Sequence, residues 1–276
     1  MIKKILFLIK SIFLKFSGKV EFIYYFSEVL NVGDDLNLDL IKAYSKKKPI
    51  CPPLIKKFEH KLMVGSVIHE MNKKSIVIGS GLIHPDFLKG INELGDIRAL
   101  RGELTKFHIE KKFAVELNVP LGDCALLMPR VINCNDIQKN SSFGLVLHYK
   151  DDDHKIKEIV TELGGKIISV SQNVTDFVNE LNTCEVILSS SMHGLILSDA
   201  YNIPNERIIL GDLLTGGDFK FKDYYSTTDS PKYEGIYISS SVTKMDVEKI
   251  LKSAMVKKYR YNLNELEAEL MKALDK

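Results

Sequence analysis

From Val20 to about Asn202 the chain repeatedly follows a short apolar run with a polar turn and then a stretch of helical periodicity, the rhythm of an alternating α/β fold with parallel strands. Val20 to Phe26 reads as a first buried strand, and Asn31-Val-Gly-Asp-Asp-Leu-Asn37 as a loop opening a helix through Ala43. Leu62 to Ile68 and Ile76 to Ile78 are further β-type runs, the second ending at Gly79-Ser-Gly81. A helix is predicted from Glu103 to about Lys112, and a short strand over Ala114 to Leu117. Periodicity lapses from Pro129 to Ser142, where Asn, Asp, Gln and Ser gather, which marks a linker. The rhythm then restarts with strands at 143–148, 166–170 and 186–188 and helices at about 153–163 and 174–182. These two arrays predict two Rossmann-like domains, 20–132 and 143–276, facing a cleft at their strand carboxyl ends. Met245 to Lys276 is expected to close the second domain as helices.

Charge separates residues 1–19 from the rest. The formal net charge is +2, yet the first twenty residues hold Lys3, Lys4, Lys10, Lys15 and Lys19 and no acid, leaving −3 for the remainder (2 − 5). A mildly acidic body without a basic stripe repels a phosphate backbone, so no nucleic-acid partner is expected. The first segment is too short in its apolar run, Ile5 to Ile9, for a secretory peptide or a bilayer span. At about 100° per residue, Lys3, Lys4, Lys10, Ser11 and Lys15 share one arc of roughly 140°, with Phe7 and Leu14 straying into it. That pattern fits an amphipathic helix on a membrane surface, or one packed on the protein's own core with its lysines solvated; both readings stand. Cys51, Cys124, Cys134 and Cys184 are widely spaced and no two histidines share metal-ligand spacing, so a reducing cytoplasm and no metal or cofactor are expected.

Chemistry is expected where a buried strand turns into a helix, in Val186-Ile-Leu-Ser-Ser-Ser-Met-His193-Gly-Leu-Ile-Leu-Ser-Asp199. Helix-opening N–H groups without intrahelical acceptors favour an anion there, which would put His193 beside it as a proton-transfer group. The plainer alternative is a structural histidine; Gly194 favours function, because a residue without Cβ lets a ligand approach. Ser189 and Ser190 are candidate phosphate contacts. Gly79-Ser-Gly81 begins like a dinucleotide fingerprint, but His84 stands at the third glycine, so the pair marks either close ligand approach or a tight turn. Asn31, Gly33 and Asp34 follow the first strand; the carboxylate of Asp34 could hold sugar hydroxyls, act as a base or cap a helix. Arg101 at a loop-to-helix junction could grip a phosphate or carboxylate, or form a surface ion pair. Asp123, after Gly122, reads as a structural turn residue.

Asn31-x-Gly33-Asp34, Gly79-x-Gly81, Arg101-Gly102-x-Leu-Thr, Leu121-Gly122-Asp123 and Ser190-Ser-Met-His193-Gly194-Leu-Ile-Leu-Ser-Asp199-Ala200 together resemble the polysaccharide pyruvyl transferase family over about residues 22 to 210. The resemblance implies a two-domain fold like that of GT-B glycosyltransferases and transfer of a pyruvyl group from phosphoenolpyruvate to a sugar, as a ketal in bacterial envelope or capsule polysaccharide. For that reaction His193 and Asp34 are the expected catalytic groups, with Arg101, Ser189, Ser190, Gly194, Asn31, Gly33, Gly79 and Gly81 expected around the substrates. Many members carry Arg two positions before the histidine where this chain has Ser191: either Arg101 with the helix N-terminus suffices for phosphoenolpyruvate, or Arg130, Lys220 or Lys222 substitutes, or the donor differs. The expected partners are phosphoenolpyruvate and a sugar or lipid-linked oligosaccharide, in the cytoplasm or on the inner face of the plasma membrane. The alternatives are a nucleotide-sugar glycosyltransferase sharing the fold and a non-catalytic membrane-surface subunit of a glycan assembly complex.

Overall fold

The computed structural model describes residues 2–25, 30–151, 154–211, 216–239 and 241–274; the expectations at Phe26, Asp153, Asp275 and Lys276 lie outside these. The chain divides into two compact units, one of residues 1–27, 34–124 and 261–276, the other of 28–33 and 125–260. Among the described residues no helix is long and apolar enough to cross a membrane.

The first unit opens with α1 (Ile2–Phe16) and β1 (Val20–Phe22). Then come α2 (Val32–Tyr44), whose first two residues are grouped with the other unit, β2 (Lys48–Ile50) and β3 (His60–Leu62). β4 (Ser75–Ile78), β5 (Asp96–Ala99) and α3 (Glu103–Phe113) follow. Every strand pair is parallel: β1 with β2, β3 with β4, β4 with β5. A parallel bridge from Ile23 to Lys61, with the Tyr24 N–H donating to the Lys61 carbonyl at 3.0 Å, carries β1 onto β3. The connected order is therefore β2-β1-β3-β4-β5. Val20, Phe22, Ile76, Val77 and Ile78 are buried, the continuous apolar runs of parallel strands covered on both faces.

Two sequence expectations fail in this unit. The strand read at 62–68 ends at Leu62, because Gly65 takes φ +108° and Ile68–Glu70 winds into a 3-10 turn. Ala114–Leu117 is not a strand: Ala114 adopts φ 52° and ends α3 as a left-handed cap. The strand of that region is β5, which its charged Asp96 and Arg98, ion-paired at 2.8 Å, conceal from a hydrophobicity reading.

The second unit contains β6 (Ser141–Val146), α4 (Ile156–Glu162), β7 (Lys166–Ile168) and α5 (Val174–Asn182). It continues with β8 (Cys184–Ser189), α6 (Met192–Ala200), β9 (Asn205–Ile209) and α7 (Phe219–Tyr225). β10 (Ile236–Tyr237) and α8 (Lys244–Ser253) complete it. Its sheet runs β10-β9-β8-β6-β7, all parallel. In chain order this repeats the connectivity of the first unit, second-first-third-fourth-fifth, the doubly wound order of flavodoxin-like sheets. Phe143, Leu145, Ile156, Val160, Leu188, Ile208, Val247 and Ile250 form its core.

The units do not divide where the sequence suggests. The division falls at Cys124/Ala125, and the polar stretch 129–142 is a largely exposed loop leading into β6 rather than the crossing point. The closing helices also part: α8 stays with the second unit, while α9 (Leu263–Leu274) packs on β4 and β5 of the first. Arg98 with Glu269 and Tyr44 with Glu267 fix it there.

Candidate functional site

In a doubly wound sheet, ligands bind outside the strand carboxyl ends where the winding reverses. In the second unit the chain leaves β6 for β7 on one side and returns to β8 on the other, so the reversal lies between β6 and β8. Val146 pairs with Ser189 at that edge, and α6 rises just beyond with His193 as its second residue. Ser191 is the N-cap in extended conformation, and its side chain makes no capping bond. A Cβ on Gly33 would overlap the His193 imidazole, so the start of α2 lies directly against this ring. Val32 donates its N–H to the Val170 carbonyl at 2.9 Å, and Asn31 Oδ1 accepts the Gly33 N–H at 3.3 Å. Two motif pieces distant in sequence thus meet at one strand end.

Three neighbours serve the fold where substrate contact is the expectation. Ser189 Oγ lies 2.9 Å from the carbonyls of Val146 and Ser191 and accepts the Ser191 N–H at 3.0 Å. Ser190 Oγ donates to Asp151 Oδ2 at 2.7 Å and accepts the His148 N–H at 2.9 Å. Both hydroxyls lock the turn. A Cβ on Gly194 would come 2.8 Å from Val146 Cγ1, so this glycine lets α6 seat on β6, not a ligand on the backbone. Anion-binding capacity here belongs to the N–H groups of the first turn of α6. Asp199 is structural too: Oδ1 accepts from Asn205 Nδ2 (2.6 Å) and the Lys257 N–H (2.8 Å), and Oδ2 from the Tyr224 hydroxyl (2.9 Å). Burial raises its pKa to about 6 against the pull of those bonds.

Sequence reasoning misses His148, which follows β6 at the same edge and stacks on Tyr149 with ring centres 4.5 Å apart. Burial, aided by the charges of Lys220 and Lys150, pushes its pKa down to about 3. Its signal was available: a histidine closing an apolar strand run sits at a parallel-sheet carboxyl end. The same observation sorts the replacements for the arginine that Ser191 displaces. Lys222 pairs with Glu234 at 3.4 Å. Arg130 lines a polar cavity of about 540 Å³ with Tyr201, the residue that caps the far end of α6. Only Lys220, of the three, brings its charge to bear on His148.

In the first unit the motif residues gather around the turn after β3. Asp34, in the first turn of α2, has Oδ1 3.9 Å from where a Gly65 Cβ would stand, and the Asn37 amide donates to the carbonyls of Asp34 and Val64. Ser80 Oγ donates to the Gly65 carbonyl at 2.9 Å. Gly79, at φ +77°, leaves no room for a Cβ against Cys124 Sγ, 2.8 Å away, and a Cβ on Gly81 would overlap the Arg101 guanidinium. Arg101 is fully buried, donating from Nη1 to Ser66 Oγ (2.7 Å) and from Nη2 to the Leu82 carbonyl (2.6 Å). It is buried rather than a surface ion pair, and it ties together the loops after β3 and β4, with Gly81 leaving room for its guanidinium. Asp123 is buried beside them.

Two parallel-sheet units with doubly wound strand order, one of them holding an imidazole at a helix N-terminus over its winding reversal, define an α/β protein. The chain belongs to the polysaccharide pyruvyl transferase family, whose profile matches residues 31–205. It is 28% identical over 217 residues to uncharacterized protein L143 of Acanthamoeba polyphaga mimivirus, covering 75% of this chain and 74% of that one. It is 25% identical over 215 residues to the succinoglycan biosynthesis protein ExoV of Rhizobium meliloti (strain 1021), covering 74% of this chain and 63% of that protein.

Proposed function

We propose that this protein transfers a pyruvyl group from phosphoenolpyruvate to hydroxyls of a cell-surface polysaccharide precursor, forming a ketal and releasing phosphate, at the inner face of the plasma membrane. The observation that carries this reading is the contact of Gly33 with His193 at the β6/β8 edge, which joins two family motifs around one imidazole. The methylene carbon of the enol phosphate takes a proton, one sugar hydroxyl adds to the adjacent carbon, the C–O bond to phosphate breaks and a second hydroxyl of the same sugar adds in its place; the two hydroxyl protons balance the one spent on carbon and the one taken up by the departing phosphate. His193 delivers the proton. A helix N-terminus disfavours imidazolium, so the donor's negative charge, held on the first-turn N–H groups of α6, restores the protonated form. Lys220 supplies the cation that Ser191 lacks. In the first unit, Asp34 positions acceptor hydroxyls, and Arg101 acts through the loops it holds. GT-B-like pairing of the units belongs to the same reading.

Glycan mass spectrometry tests it in cells carrying wild type or His193→Gln. Wild type adds the mass of a pyruvyl ketal and the variant does not. An unchanged pyruvylated glycan in the variant removes His193 from the chemistry. A glycan lacking a whole sugar in cells without the protein points to the glycosyltransferase reading instead.

A further inference from the structure

Helix α1 lies on the first unit the wrong way round for a soluble protein. Ser11 is buried, and Lys15 reaches Glu21 at 2.9 Å, a fully buried carboxylate of β1 that also pairs with Lys47 and Lys61 at 3.4 Å. Lys15 also stands over the Phe22 ring, 5.3 Å from its centre. The side of the helix that carries Ser11 and Lys15 therefore faces the protein. Ile5, Leu6, Ile9, Phe13 and Phe16 occupy an arc of about 100°, centred about 150° from Ser11 and Lys15. That arc is open: Leu6 is 61% exposed, Ile9 59%, Phe13 73% and Phe16 89%. Soluble proteins rarely leave such a contiguous apolar ridge in water, and one rimmed by cations marks an interaction surface.

We propose that this ridge docks the protein on an anionic lipid surface. Lys3 and Lys10 border one rim of the arc, Lys4 is also exposed, and residues 1–20 contain no acid. Apolar residues that enter the acyl boundary beside lysines that stay with anionic headgroups are the composition of an interfacial helix. A second copy is a poorer occupant, because ridge-to-ridge pairing would bring two sets of lysines together. Sequence periodicity identifies the apolar arc; that it faces outward follows from the buried Glu21 holding Lys15. The inference is independent of the chemistry at His193.

Co-sedimentation of the full chain with vesicles tests it. Wild type is expected to pellet with phosphatidylcholine vesicles containing phosphatidylglycerol, to bind phosphatidylcholine alone far more weakly, and to release as salt is raised. Leu6→Ser/Ile9→Ser/Phe13→Ser, substituted at exposed positions, should keep its circular dichroism and need at least about a hundredfold more lipid for half-binding. Lys3→Gln/Lys4→Gln/Lys10→Gln should lose the preference for anionic vesicles. Wild type remaining in the supernatant with anionic vesicles overturns the proposal, as does a triple-serine variant that pellets like wild type. A wild-type dimer by light scattering that the serine variant converts to monomer, with no vesicle binding, assigns the ridge to a second copy and overturns it too.

Discussion

Position 33 leaves no room for a Cβ while the His193 ring stands over it. An alanine there forces the His193 imidazole to rotate away, and a displacement of about 1 Å in a reacting group can cost about a hundredfold in rate. Gly33→Ala is therefore expected to lower the rate of pyruvyl transfer by that order while moving the melting temperature little, since the ring can swing aside. Gly194→Ala meets Ser189 Oγ and Val146 in the β6 packing and should instead destabilise the fold by about 1–3 kcal/mol. Parallel measurements of rate and thermal unfolding separate the two, and full activity in Gly33→Ala would show that the ring's position is unimportant. On the proposed reaction, with Lys220 as the donor's cation, Lys220→Met should raise the KM for phosphoenolpyruvate about tenfold or more with kcat less affected. Lys222→Met, whose lysine pairs with Glu234, should leave KM unchanged.

At the scale of elements, the β6/β8 edge carries a pH dependence of its own. An unfolded histidine titrates near 6.5, whereas His148 in the fold does so at about 3, so between those values only the unfolded chain holds the proton. Stability from this residue is complete above pH 6.5 and declines as the pH falls towards 3. Asp199 acts in the opposite sense, its folded pKa of about 6 favouring the fold as the pH drops from 6 to 4. The quantity to measure is thus the difference between wild type and His148→Gln at each pH. The variant should lose less melting temperature between pH 7 and 5, and equal losses would mean that His148 is not held neutral by its surroundings. The elements around this edge are readable in the sequence because they obey simple rules. Asn173 caps α5 by accepting the Asp176 N–H, β8 is centred on the apolar run Val186–Leu188, and α6 follows a serine N-cap. Elsewhere local signals mislead. β5 hides behind an ion pair, and Ala114–Leu117, read as a short strand, begins instead with a left-handed helix cap. The serines and glycines of the motifs carry no mark in sequence to show whether they face a ligand or the core; Ser189, Gly194 and Gly81 face inward.

For the whole molecule, two rounds of strand and helix were visible in the sequence, but not which round the last helix completes. Leu266, Leu270, Ala273 and Leu274 form an i, i+4, i+7, i+8 stripe that announces an amphipathic helix without naming the sheet it covers. That choice depends on partners some 170 to 230 residues earlier, among them Arg98 and Tyr44. Its consequence is that the first unit is closed by the end of the chain. Leu270 is fully buried, so Leu270→Ala removes its packing and leaves a cavity, at a cost of about 2–5 kcal/mol. Because α9 packs with β4 and β5, the loss should fall on the first unit. Amide exchange should quicken across Ser75–Ile78 and Asp96–Ala99 while Ser141–Val146 and Cys184–Ser189 keep their protection. If β6 and β8 instead lose protection and β4 and β5 do not, α9 belongs to the second unit, as the sequence order alone would have it.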